Sequence, residues 1–303
     1  MRETDVEILA SGFGLIEGPV WRPDLGLIFA DTQKGGAFRI TPAGKIVTVF
    51  EHRRGIGGMA WHESGGLVIS GRNIAYKGQA AEGTVVLLEN DPGNGIVGFN
   101  DLTTDSKGRI YAGALGFVTT HTELSGVGGQ QKSAPLFLIE LDGTARQVQS
   151  DIKITNGLGF SPDGSRLYHA DSGVRTVYVY DVLPNGALTT RRIFAITPEG
   201  LPDGLAVASD GSVWVGIAHG GQVQVFEPGG ALRSRIEFPL PMVTSLCFGG
   251  PDMRDVFVTT GSDGSGRDDA GTVFRLRADV AGLVVAPARV KLKRHDRERL
   301  AGL

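Results

Sequence analysis

The sequence holds a single cysteine, Cys247, so no disulfide can form within the chain, and a reducing compartment is expected. No apolar run approaches membrane-spanning length, and Met1-Arg2-Glu3-Thr4-Asp5 puts charges where a signal peptide needs an apolar core. A cytoplasmic protein with no membrane partner is the expectation. An excess of charge of one sign is also lacking: 30 Lys and Arg against 33 Asp and Glu, interspersed, leave a formal net charge of −3. That balance offers no electrostatic footprint for nucleic acid. No Gly-x-Ser-x-Gly elbow occurs, and no histidine and acid flank Cys247, so nucleophilic catalysis by Ser or Cys has no support. Cys247 reads instead as buried packing in a strand.

Glycine is plentiful, at 46 residues, and spread along the chain as tight turns between short strands require. The chain repeats itself. A polar or glycine residue opens a short apolar run at Glu17, Gly57, Asn100, Asn156, Asp203 and Thr244, at intervals of 40 to 56 residues. Turns such as Asp105-Ser-Lys-Gly108, Pro162-Asp-Gly164 and Asp210-Gly211 follow. Second runs come next, among them Leu27-Ile-Phe-Ala30, Leu167-Tyr-His-Ala170 and Val213-Trp-Val-Gly216. Third runs include Thr176-Val-Tyr-Val-Tyr180 and Gln222-Val-Gln-Val-Phe226. These runs are short and rich in β-branched and aromatic residues, which marks strands rather than helices. Six repeats of four antiparallel strands predict an all-β, six-bladed β-propeller spanning 1–303 as one domain. Val6-Glu-Ile-Leu9 is expected to supply the outer strand that closes the last blade. The longest interval carries an insertion at about 117–135, a plausible lid. The basic stretch from 291 to the end reads as a solvated tail.

The innermost strand of each blade lines the channel of a propeller, so the six opening residues should converge at one mouth. Among them are two carboxylates, Glu17 and Asp203, and two carboxamides, Asn100 and Asn156. Carboxylates brought together out of water repel, and a bound cation removes that cost. An all-oxygen donor set suits calcium, magnesium or manganese better than a structural zinc site. Turn capping by Asn and Asp is the competing explanation, but capping does not require them to fall at matched repeat positions.

Several segments, Ile16-Glu-Gly-Pro-Val-Trp21, Phe99-Asn-Asp101, Asp105-Ser-Lys-Gly-Arg109, Thr155-Asn-Gly-Leu158 with Ser161-Pro-Asp-Gly164, and Pro202-Asp-Gly204, resemble the SMP-30/gluconolactonase (regucalcin-like, LRE) family. The likeness covers about residues 14 to 285. It implies one divalent metal, calcium foremost with magnesium, manganese or zinc as alternatives, held by Glu17, Asn156 and Asp203. It also implies a substrate contact at Asn100, an acid/base role for Asp203, and hydrolysis of a small sugar-type lactone. Asp101 is a second candidate to orient the attacking water. Two positions depart from the family pattern: Gly98 stands where many members carry Arg, and Gly159 where many carry Asp. Arg72, in Ser70-Gly-Arg-Asn73, is a candidate substitute for the missing anchor, with Asn73, Tyr76 and Lys77 nearby. His121, in the long insertion, is a second candidate substrate contact. His169 reads as a satisfied core histidine, and His219 as a turn residue of undecided role.

The partner expected is therefore a small lactone or ester, bound by a monomer or small homo-oligomer. Two other functions fit the same residues: a different metal-dependent esterase or lyase, and a non-catalytic binding propeller with a structural ion.

Overall fold

The structure, a computed structural model, describes residues 6–78, 83–117, 132–262 and 266–292. It contains six sheets of four antiparallel strands each, arranged as a β-propeller. The inner strands are Ile16–Arg22, Met59–Trp61, Gly98–Thr104, Thr155–Phe160, Leu201–Val207 and Val243–Gly249. Blades one to five are built from consecutive strands. In blade six the outer strand, Glu7–Phe13, comes from the start of the chain and pairs with Gly271–Arg277. That pairing gives the ring no unpaired seam between first and last blade. Among the described residues, no helix is long and apolar enough to cross a membrane.

The second strands are buried on both faces because neighbouring blades cover them. In Val213–Ala218 every residue is buried. Val213, Val215 and Ile217 pack with Tyr168, Ala170, Val177 and Leu205 of blades four and five. Each such side chain contributes about 1.5–3 kcal/mol when fully buried.

The inner strands share one irregularity. In blades three, four, five and six the register slips by one residue at the repeat's opening position, and in blade one it slips just after that position, at Gly18 and Pro19. In blade three, for example, Phe99 faces Ala114 and Leu102 faces Ala112, leaving Asn100 and Asp101 opposite Gly113 alone. A bulge of this kind re-aims a side chain out of the sheet alternation. Blade two lacks the slip. There Gly57 and Gly58 precede the strand, and both N–H groups donate to Ser70 Oγ, at 3.1 and 2.9 Å.

Below the bulges the channel widens into a cavity of about 720 Å³. Its walls are the lower halves of the inner strands, including Leu102, Leu158, Leu205 and Leu246. Residues 278–292 form a strap across this end. Leu283 N–H donates to Val207 O (3.0 Å) in blade five, and Ala288 N–H to Trp61 O (2.7 Å) in blade two. Arg289 N–H reaches Gly108 O (2.8 Å), and the Thr104 hydroxyl donates to Ala286 O. Ala288 and Val290 are fully buried against blades two and three. Lys291 N–H donates to Leu141 O, so the chain is still bonded to the propeller at the start of the expected tail. Residues 293–303 lie outside the described residues.

Two expectations about single side chains need correcting. His169 is buried, but neither ring nitrogen has a partner among the described residues, so it is not a satisfied core histidine. Burial pulls its pKa down to about 3, which keeps it neutral. Cys247 is only half-buried and lines the lower cavity.

Candidate metal centre

At the upper end of the channel, opposite the strap, the opening residues of the blades meet in a ring. Asn100 Nδ2 donates to Asn156 Oδ1 (2.6 Å) and to Thr155 O (2.8 Å). Asn156 Nδ2 donates to Ser172 Oγ (2.7 Å), whose hydroxyl donates onward to Pro202 O (2.6 Å), next to Asp203. The Thr244 hydroxyl donates to Ile16 O (2.5 Å), next to Glu17, and lies 3.0 Å from Thr259 Oγ1. Thr244 therefore closes the ring structurally. Gly57, in blade two, has no side chain because the amide of Asn100 occupies the space where one would project.

Three carboxyls crowd the channel: Glu17 and Asp203 in the ring, and Asp101 just below it, at the head of the lower cavity. Burial first, then the negative charges of Asp203 and Asp101, hold Glu17 well above the ordinary carboxylate range. Burial, followed by the charge of Asp101, does the same to Asp203. Burial lifts Asp101 to about 7, against the opposing N–H of Leu102, which donates to Asp101 Oδ1 at 2.7 Å. None of the three forms an ion pair among the described residues. Asp203 is 4% exposed, and its Oδ1 is buried with no hydrogen-bond partner among the described residues. Crowded carboxyls and an orphaned oxygen are what a cation would satisfy.

The donor set fits a hard divalent ion, with one qualification. Among the described residues, no cluster of three or more His, Cys, Asp or Glu side chains has metal-holding spacing. A site built on Glu17 and Asp203 draws its remaining protein oxygen from an amide. Asn156 Oδ1 accepts one hydrogen bond, from Asn100, and has a second lone pair available. The Ser172 hydroxyl fixes which way that amide faces.

The family model for the SMP-30/Gluconolactonase/LRE-like region matches residues 15–262. The chain belongs to this family. A pentonolactonase from Haloferax volcanii is 33% identical over 92% of this chain and 95% of its own. A 6-deoxy-6-sulfogluconolactonase from Pseudomonas putida is 30% identical, covering 93% and 97%. The solved structure of a calcium-binding regucalcin from Agrobacterium tumefaciens superposes with a TM-score of 0.81 at 20% identity, over 95% of this chain and 98% of that one.

The other expected site residues divide by position. Asp101 takes the place that Gly18, Gly58, Gly157 and Gly204 hold in other blades, and it lines the lower cavity. Arg72 lies at the upper end, where Gly71 bridges to Phe99 in the next blade. A Cβ at Gly98 would stand 3.8 Å from Arg72 Cα, so Arg72 is the spatial neighbour of the family position that lacks its arginine. Gly159 has a steric reason: a Cβ there would meet Leu205 Cδ1 at 2.7 Å and Val207 Cγ2 at 3.0 Å. His219, in the turn after Val213–Ala218, adopts φ 61°, and its Nε2 is buried without a partner among the described residues. His121 and most of the 117–135 insertion lie outside the described residues.

Sequence reasoning missed Ser172 and its neighbour Asp171. Asp171 accepts from the backbone N–H groups of Lys153, Ile154 and Gly173, pinning the approach to Asn156. Asp31 does the same for Gly14, Gln33 and Lys34 ahead of Glu17. The repeated triplets Ala30-Asp-Thr32 and Ala170-Asp-Ser172 carried that signal.

Proposed function

We propose that this protein hydrolyses a small lactone at the upper channel mouth, with one divalent cation, calcium first, held by Glu17, Asn156 and Asp203. The observation that carries the reading is the unpartnered, buried Oδ1 of Asp203 among carboxyls that raise one another. Family membership and the lactonase names of the two curated relatives support the reaction class. The calcium-binding description of a solved relative agrees with the choice of ion.

The cation supplies Lewis acidity toward the ring carbonyl and the oxyanion that develops on attack by water. The chain's own residues do the rest. Asn100 spans Thr155 and Asn156 and presents its amide at the mouth, where it orients the lactone. Ser172 keeps Asn156 turned toward the centre. Asp203 orients the attacking water, takes its proton at Oδ1 as the new C–O bond forms, and returns it to the ring oxygen as the lactone C–O bond breaks. Asp101, at about 7, sits where a carboxyl exchanges protons most readily at neutral pH, and is a second acceptor for the same proton. Arg72 contacts the substrate from the rim.

The reading is tested by stripping the protein with a chelator and assaying δ-gluconolactone, a γ-lactone and an aryl ester with each metal restored. Lactone hydrolysis should return with metal in the parent and stay absent in Asp203→Ala. A melting temperature raised by metal with no ester turned over would leave a structural ion and remove the lactonase reading.

A further inference from the structure

The rim between blades one, two and three carries cationic side chains that pair with no carboxylate among the described residues. Arg53 is half-buried. Its Nη2 donates to Ser70 O, Asn73 O and Asn73 Oδ1, each at 3.0 Å, and it forms no ion pair among the described residues. Burial pulls its pKa down, the response of a cation losing water without gaining an anion. Lys77 is half-buried, with Nζ 5.6 Å from the centre of the Phe50 ring. Its pKa is lowered by burial and then by the charge of Arg53, so the two cations feel each other. Arg72 is exposed and makes no hydrogen bond or ion pair among the described residues. A nearby carboxylate, Glu89, accepts from Asn73 Nδ2 at 3.3 Å, on the opposite side of that amide from Arg53.

These cations adjoin the catalytic ring. Ser70, whose carbonyl receives Arg53, also holds Gly57 and Gly58 through its hydroxyl. Gly71 separates Ser70 from Arg72 and bonds both ways with Phe99, the residue before Asn100. Isolated arginines at a surface usually find a carboxylate or remain fully hydrated. A half-buried guanidinium anchored only to backbone and an amide, beside a second cation, is arranged for an anion from outside.

We propose that Arg53 and Arg72, with Lys77 behind them, form an oxyanion subsite, and that the substrate is a lactone bearing a second, anionic group remote from its ring carbonyl. The inference rests on the lactonase reading above and adds the substrate class. A carboxylate, phosphate or sulfonate meets the requirement. Arg72 contributes its planar fork at the rim, and Arg53 the fixed charge beneath it.

The test compares D-glucono-1,5-lactone, which is neutral, with 6-phosphoglucono-1,5-lactone and D-glucaro-1,4-lactone, using metal-loaded parent, Arg72→Gln, Arg72→Lys and Arg53→Lys. The parent should favour at least one anionic lactone in kcat/KM, chiefly through KM. Losing one charge-assisted contact should shrink that anionic-to-neutral ratio by about 10–100-fold in Arg72→Gln, with partial recovery in Arg72→Lys. Raising the salt concentration should shrink the parent's ratio. A ratio near one in the parent, or the same ratio in every variant, would overturn the subsite. Calorimetry with 6-phosphogluconate and gluconate separates the two readings. If no lactone turns over but phosphogluconate still binds tighter than gluconate in an Arg72-dependent way, the subsite stands and the lactonase reading falls. Equal binding of the two acids removes the subsite whatever the activity.

Discussion

Replacing Asp101 with asparagine should stabilise the metal-free protein, and by more as the pH rises. The carboxyl lies where other blades have glycine or serine, and burial lifts it from the ordinary 3.8 to about 7. A carboxyl raised in this way binds its proton more tightly folded than unfolded. Folding stability is therefore lost as pH climbs from about 4, and the loss is complete above about 7. About three pKa units correspond to about 4 kcal/mol at pH 8, and to about 2 kcal/mol at pH 5, where the transition is partial. Asparagine keeps the size and the Oδ1 acceptor for the Leu102 N–H, and it has no proton to lose. Urea unfolding in the presence of chelator at pH 5 and pH 8 measures both gains. Saturating calcium should reduce the gain at pH 8, because the ion offsets the same negative charge. A variant no more stable than the parent at pH 8, or stabilised equally at both pH values, would refute the placement of this carboxyl among uncompensated charges.

Other outcomes follow from the same geometry. Ser172→Ala removes the acceptor that fixes the Asn156 amide and the donor to Pro202 O, and should weaken calcium binding about 10–100-fold by calorimetry, as loss of an orienting partner does. Glu17 and Asp203 are both raised, so protons compete with metal: calcium affinity should fall as pH is lowered from 8 to 5, with proton release on binding measurable in buffers of different ionisation enthalpy. Val290→Ala, in the strap, should cost about 2 kcal/mol in urea unfolding, because the side chain is 1% exposed among residues of blades two and three.

The blades were legible in the sequence because strand periodicity, turn glycines and the spacing of the opening residues all repeat. The pairing of Glu7–Phe13 with the last blade was legible for the same reason, as the repeat is one strand short without it. Glu17, Asn100, Asn156 and Asp203 stood out because they fall at matched positions. The bulge that aims them leaves no mark of its own, since it is a register slip between strands far apart in sequence. Arg53 was missed because it lies in an irregular segment, and its neighbours, Ser70 and Asn73, are 17 and 20 residues away. The strap is largely apolar but shows no strand alternation, because its bonds run from backbone atoms to blades two, three, five and six rather than along one partner strand. The motif Asp105-Ser-Lys-Gly-Arg109 helps identify the family, yet it is structural. Asp105 accepts from the N–H groups of Lys107 and Arg109 and pairs with the buried Arg109 guanidinium at 2.6 Å.

The most direct test of the account is a crystal grown with manganese and measured at a wavelength where manganese scatters anomalously. The account predicts a single strong peak at the upper end of the channel, within coordination distance of oxygens from Glu17, Asn156 and Asp203. A peak elsewhere, or none at that ring under saturating manganese, would contradict it.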